Sequence, residues 1–207
     1  RAIDREVSCA LHMTHMGCSS KPEALIRQSL RNGLSDGWGG SMCGTEFSDV
    51  LFGTPKPIDT EANLGVMVAE NVNIVVHGHD PSLSEMICEV ADDPEMIAYA
   101  KEMGAKGITI SGVCCTSNEV AMRRGIPMAG NFLQQENVVL TGACEAIVVD
   151  VQCIFPALGP LSKCFHTKFI TTSPIAQLPG SVYIVFSAGT ALEKAKEIVK
   201  NAIENFK

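Results

Sequence analysis

Three side chains with the chemistry of metal ligands, His79, Cys115 and Cys153, occupy corresponding places along this 207-residue sequence. Each lies just past a short apolar run. Val72 to His77 leads into Gly78-His79, Ile108 to Ser111 leads towards Cys114-Cys115, and Ala146 to Val151 leads into Gln152-Cys153. Runs of this length, rich in β-branched residues, read as buried strands. In an open parallel sheet, the residues that follow the strands line the edge where ligands bind. Thiolates together with an imidazole suit iron, nickel or zinc, and they exclude magnesium and calcium, which take oxygen ligands.

Local electrostatics point the same way. His79 directly precedes the helix start Asp80-Pro81, and Cys115 directly precedes Thr116, which with Glu119 makes a capping-box pattern. The positive end of a helix favours a thiolate and a neutral imidazole, the protonation states that bind metals. One histidine here would most simply cap its helix, and one free cysteine would be a small buried hydrophobe. Three such residues after three strands predict a shared site. Neighbouring side chains at a strand end point in different directions. Of Cys114 and Cys115, one is therefore expected to face the site and the other the core. Cys115, beside the Thr116 cap, is assigned to the site. His77 still belongs to its strand and is expected to support the site from behind.

Other chemistries lack their residues. After the first strand the sequence is His77-Gly78-His79-Asp80-Pro81, with no G-x-G-x-x-G to approach a pyrophosphate. There is no P-loop, no G-x-S-x-G and no H-E-x-x-H, and no two cysteines stand at the C-x-x-C spacing of a zinc site.

The elements that must position these residues follow from the same patterns. The first part reads helical: Ser20 and Glu23 make a capping box around Pro22, and Leu25, Ile26 and Leu30 share a face until Asn32-Gly33. Gly37 to Gly40 reads as a turn. The prolines of Gly53-Thr54-Pro55-Lys56-Pro57 exclude helix and central strand, so the expected division is 1–57 as the end of a helical domain and 58–207 as an α/β domain. Helices are expected from Asp80-Pro81, from Asp93-Pro94 to Gly104, from Thr116 to Gly125, and from a Thr190/Glu193 capping box onward. Further strands are expected at Lys168 to Thr172 and Val182 to Phe186. Strands alternating with helices predict a doubly wound, mostly parallel, Rossmann-like sheet preceded by a short helical segment.

The chain is 46% hydrophobic, and no apolar run approaches the roughly 20 residues of a membrane span. A net charge of −7 argues against nucleic acid or an anionic membrane as partner. Nine cysteines without a secretory signal predict a reducing, cytoplasmic setting, with Cys9, Cys18, Cys43, Cys88, Cys144 and Cys164 as packing residues. The opening on Arg1 and the close within a helical pattern read as a piece of a longer chain.

Several long segments resemble the anaerobic nickel-iron carbon monoxide dehydrogenases. They are Val72 to Pro81, Gly112 to Glu119, Arg124 to Pro127, Asp150 to Ile154, Leu51 to Pro55 and Cys164 to Lys168, within a similarity that runs from about His12 to the end. The resemblance implies reversible oxidation of CO with water to CO2 at a nickel-iron-sulfur cluster of the [Ni-4Fe-4S] type. It also implies a ferredoxin-like electron acceptor and a homodimer, free-standing or within an acetyl-CoA synthase or decarbonylase complex. By the same resemblance, His79 and Cys115 hold the iron outside the cubane and are the catalytic pair, and Cys153, at the family's spacing, holds a cubane iron. Three further active-site cysteines and a catalytic lysine are expected beyond Lys207. The cysteines of additional [4Fe-4S] clusters, and an acid/base histidine, are expected upstream of Arg1. The related hybrid-cluster proteins, which reduce hydroxylamine, are a sibling reading, but they place a glutamate ligand in Thr-His-Gly-Glu where this chain has Ile110-Ser111-Gly112-Val113. A cluster-free scaffold is the alternative from a different class.

Overall fold

The computed structural model describes residues 2–207, which gather into two compact units divided between Thr54 and Pro55. The first holds α1 (Ala2–Thr14), α2 (Pro22–Asp36), a π-helical stretch (Gly37–Cys43) and α3 (Gly44–Phe52), which ends at Gly53 with φ 88°. The expected stop at Asn32-Gly33 and the glycine turn at 37–40 do not occur. Glycine ends a helix by adopting the left-handed conformation, and Gly37 instead stays right-handed at φ −56°. The Ser20/Glu23 box does not form either, because Lys21 occupies the N-cap. α1 and α2 are joined through the buried carboxylate of Glu6, which Arg31 grips with both Nε (2.8 Å) and Nη2 (2.6 Å) while Gln28 Nε2 donates at 3.1 Å.

The second unit runs β1 (Val72–His77), α4 (Pro81–Ala91), α5 (Pro94–Glu102), β2 (Ile108–Val113), α6 (Cys114–Arg124), β3 (Met128–Gly130) and α7 (Gln135–Leu140). It continues with β4 (Ala146–Val149), α8 (Leu158–Ser162), β5 (Lys168–Thr171), β6 (Val182–Tyr183) and α9 (Ala191–Ile203). The six strands form one sheet in the order β3-β2-β1-β4-β5-β6, every pair parallel, as the alternation of strands and helices predicted. All six residues of β1 are buried. Its side chains divide by the two-residue period of a strand. Val72, Ile74 and Val76, with Ala146 and Val148 of β4, pack against Leu83 and Ile87 of α4 and Ile198 and Val199 of α9. Val75, Ile147 and Val149 pack on the opposite face against Val138 and Val139 of α7 and Leu158 of α8. Covering both faces is what lets these strands read as unbroken apolar runs.

The amino edge of the sheet is closed by polar contacts. The buried side chain of Glu145, just before β4, accepts from Asn73 N at 2.5 Å and meets His166 Nε2 at 3.1 Å. Asn73 Nδ2 donates to the carbonyls of Val68, Asn71 and Ala143, and Asn205, beyond α9, donates to the carbonyls of Glu145 and His166. Burial pushes the Glu145 carboxyl above the usual range.

Capping is where the sequence reading needs most correction. Asp80 and Asp93 cap α4 and α5 as expected. Thr190 makes no side-chain cap, and α6 begins at Cys114, not Thr116, with Val113 at its N-cap. The Thr116 hydroxyl is engaged elsewhere: it bonds Ser84 Oγ and Asp80 O, while Thr116 N donates to Gly78 O at 2.9 Å. A capping box does form at Asn131/Gln134, in a turn the pattern reading passed over. Gly112 permits the early start of α6, because a Cβ there would lie 2.0 Å from Ser117 Cβ. Among the described residues no helix is long and apolar enough to cross a membrane.

Two expected outcomes follow from this packing. Arg31 holds the Glu6 carboxyl down at about 2, from an ordinary 4.5. A depressed carboxyl contributes stability above its unfolded value and loses it as pH falls towards the folded one. Glu6→Gln should therefore flatten the acid side of the stability profile between roughly pH 4.5 and 2, read by circular dichroism against denaturant; an unchanged profile would refute the assignment. Gly112→Ala should cost about 1–3 kcal/mol by overpacking, with Ser117→Gly restoring part of the loss in the double variant.

Candidate metal centre

The strand order reverses direction between β1 and β4, and in doubly wound sheets the crevice at that switch point, beyond the carboxyl ends, is where ligands bind. His79 leaves the sheet after β1 and Cys153 after β4, so the two flank this crevice, and the Cys114-Cys115 pair follows β2 next to it. The loops are held by Asp150. Its buried carboxylate accepts from His79 N (2.6 Å), Asp80 N (2.8 Å) and Val151 N. Gly78, at φ 127°, allows the approach, because a Cβ there would lie 1.9 Å from Asp150 Oδ1. Burial pushes the Asp150 carboxyl upward against the opposing pull of the three N–H groups.

His79, Cys114 and Cys153 each present a ligand atom, and the three atoms all lie within 4.8 Å of one another. His79 Nδ1 is 3.1 Å from Val151 O. A carbonyl can only accept, so Nδ1 carries the proton and Nε2 turns its lone pair outward. Cys153 Sγ lies 3.9 Å from that Nε2. Behind them, His77 Nε2 is 3.0 Å from Gln135 Oε1, and burial pushes the His77 imidazole below its ordinary value, so it sits neutral.

Of the three residues expected from sequence, the fold brings His79 and Cys153 together. Cys115 is exposed and outside that trio, with its Sγ 4.0 Å from Cys114 Sγ. Cys114 has a double character: it packs in the apolar cluster with Val113 and Val149, yet its sulfur completes the trio. Burial pushes the Cys114 thiol up to about 12. Among the described residues, the non-glycine positions with positive φ are Cys114 (72°), Gln152 (62°) and Cys153 (54°), all at this site. Side chains in that region cost about 1–3 kcal/mol each and persist where surroundings over-determine them.

The six cysteines expected to serve only packing divide differently. Cys88 and Cys144 are buried, and burial raises both thiols. Cys9, Cys18 and Cys164 are exposed and Cys43 is half-buried, so packing within this chain does not account for them. Sequence patterning gives burial only where an element has a clear apolar face, and these four lie outside the faces that the structure buries.

The donor set suits a soft, thiophilic metal group: one imidazole with its tautomer fixed, and thiols at the carboxyl edge of a parallel sheet. Comparison with known proteins agrees. The family described as Prismane/CO dehydrogenase matches residues 1–207. Carbon monoxide dehydrogenase 1 of Methanosarcina mazei is 55% identical over 206 residues, covering 100% of this chain and 33% of the relative. The enzyme of the same name from Carboxydothermus hydrogenoformans is 50% identical, covering 99% and 32%. The as-isolated, nickel-free crystal structure of carbon monoxide dehydrogenase from Thermococcus sp. AM4 superposes with a TM-score of 0.95 at 55% identity, covering 100% of this chain and 33% of that one. The chain thus spans about a third of the length of the curated relatives it matches, and it belongs to the Prismane/CO dehydrogenase family.

Proposed function

We propose that this chain forms part of a carbon monoxide dehydrogenase, which in the complete protein oxidises CO with water to CO2, releasing two protons and two electrons reversibly. The observation that carries the reading is the convergence of a tautomer-fixed His79 and the Cys153 thiol, 3.9 Å apart at the switch point of the sheet, with the Cys114-Cys115 pair following the neighbouring strand. A nickel-iron-sulfur cluster fits this donor set, and one solved relative, 45% identical, is described as having NiZn[Fe4S4] and NiNi[Fe4S4] clusters in the alpha subunits of acetyl-CoA synthase/carbon monoxide dehydrogenase. When bound, the cluster supplies a Lewis acid for CO and water and an acceptor for the electrons.

His79, Cys115 and Cys153 are the proposed ligands, with His79 and Cys115 also the catalytic pair. Cys115 is preferred to Cys114 on access: its thiol is exposed, whereas Cys114 is packed into the core. His79 contributes through Nε2, the nitrogen left bare by the bond to Val151 O. Asp150 contributes by holding the His79 backbone, and neutral His77 adds no competing positive charge behind the thiols. The remaining ligands, the further [4Fe-4S] clusters, a ferredoxin-like acceptor, a homodimeric assembly and a cytoplasmic setting belong to the same proposal for the whole protein.

In the complete protein, His79→Ala, Cys115→Ser and Cys153→Ser should each lower CO oxidation by more than about 100-fold with loss of bound metal. Cys114→Ser should chiefly lower stability, by roughly 1 kcal/mol. Iron and nickel analysis of each purified variant decides it, and a cluster destroyed by Cys114→Ser but tolerant of Cys115→Ser would exchange the two roles. The 207-residue chain alone, supplied with iron, sulfide and nickel, should show little cluster absorbance and no turnover, because its ligands cannot saturate a cubane. Robust turnover by it would contradict the proposal.

A further inference from the structure

Gln135, the first residue of α7, is fully buried, and its side-chain amide is saturated. Oε1 accepts from Phe155 N at 2.8 Å and faces His77 Nε2 at 3.0 Å; Nε2 donates to Cys153 O at 2.9 Å and Phe132 O at 2.6 Å. The two carbonyls fix which end of the amide carries hydrogens. His77 Nε2 must therefore donate, and its bare Nδ1 is a buried acceptor with no partner among the described residues. One amide thus ties together the end of β1, the start of α7 and the loop after β4.

That loop contains the strained part of the backbone. Gln152 and Cys153 both take left-handed conformations, which relax unless they are held. The Gln135 bonds hold the exit of this turn, one at the carbonyl of Cys153 and the other at the N–H two residues on. Phe132 adds an edge-to-face ring contact to Phe155, centroids 6.3 Å apart at 86°. On the other side of the turn, Asp150 is anchored to the β1 loop. Asp150 holds the entrance of the turn and Gln135 its exit.

We infer that Gln135 is a positioning residue for the metal centre: it clamps the left-handed Gln152-Cys153 turn to the end of β1 and so holds the Cys153 thiol 3.9 Å from His79 Nε2. The inference rests on the reading of Cys153 as a cluster ligand. Without the clamp, the turn relaxes and the sulfur swings out of the trio, though the sheet, whose core lies elsewhere, remains.

The test uses the full-length holoenzyme with Gln135→Leu, which removes all four contacts, and Gln135→Glu, which keeps the side chain's size and its acceptor for Phe155 N but loses the donors to Cys153 and Phe132. Iron and nickel per folded chain, the electron paramagnetic resonance spectrum of the cluster, kcat and KM for CO, and the melting temperature are measured together. The expected result is a fall of about 10- to 100-fold in kcat, an altered spectrum or reduced metal content, and an unchanged KM. A lowered melting temperature with wild-type spectrum, metal content and kcat in both variants would overturn the inference, since that is what a merely structural glutamine gives. Neither variant folding would overturn it too, placing Gln135 in the core machinery of the fold. Cys153→Ser is the companion arm. If it keeps full metal and the wild-type spectrum, the ligand reading itself fails. If it loses them while both Gln135 variants remain wild-type, only the positioning role fails.

Discussion

The carboxylate of Asp150 is the constraint on which the carboxyl edge of the sheet depends. It sits at the end of β4 and bonds the backbone of two residues beyond β1 and of its own successor. Two loops from adjacent parallel strands would otherwise diverge at the switch point, since the backbone bonds between them end with Asp150 N to His77 O at 3.2 Å. Asp150 converts that divergence into a fixed separation. Its geometry then dictates neighbouring choices: Gly78 because a Cβ would collide with Oδ1, and a histidine next whose N–H is already engaged and whose ring reaches across to Val151 O. The side-chain chemistry of His79 is thus set by backbone contacts made to a residue 71 positions away.

Much of the fold was legible because buried parallel strands leave a strong mark. Val72 to His77 is buried on both faces, so every residue is constrained and the run ends where the strand ends. Asp-Pro marked the starts of α4 and α5 because the carboxylate and the preset φ of proline act within three residues, independent of tertiary context. The cap misread at α6 has a tertiary cause. Thr116 has the right spacing for a cap, but its hydroxyl has a better partner in Ser84 on α4, a residue 32 positions away. β3, only three residues long, and α7 carried too short a pattern to announce themselves.

The site was legible in part for the same reason. His79 and Cys153 could be placed at the edge from strand ends alone, because the edge is a property of topology. Choosing between Cys114 and Cys115 needs the local turn. α6 begins at Cys114, which takes a left-handed conformation, and its thiol lies within 4.8 Å of the His79 and Cys153 ligand atoms while the residue packs in the apolar cluster with Val113 and Val149. Alternation along a strand, the principle available from sequence, does not survive such a turn. Gln135 left no signal at all, since a glutamine at a helix start is an ordinary surface residue until a loop 18 positions on folds over it.

The two edges of the sheet divide stability from strain. At the amino edge, Glu145, Asn73, His166 and Asn205 bond across β1, β4, β5 and the end of α9, and the positive-φ residues of the turns entering there, such as Gly104 and Gly142, are glycines. At the carboxyl edge, three side-chain-bearing residues sit in left-handed conformations within one small cluster. Strain of that kind, about 1–3 kcal/mol per residue, would be removed by glycine or by a looser loop if stability alone were at issue. Two of the three residues are cysteines whose sulfurs meet His79. At Cys153, a glycine would relieve the backbone and delete the thiol proposed as a ligand, which ties the strain there to the proposed site. The sheet can hold those conformations because apolar side chains cover both of its faces and the Glu145 cluster ties its opposite edge.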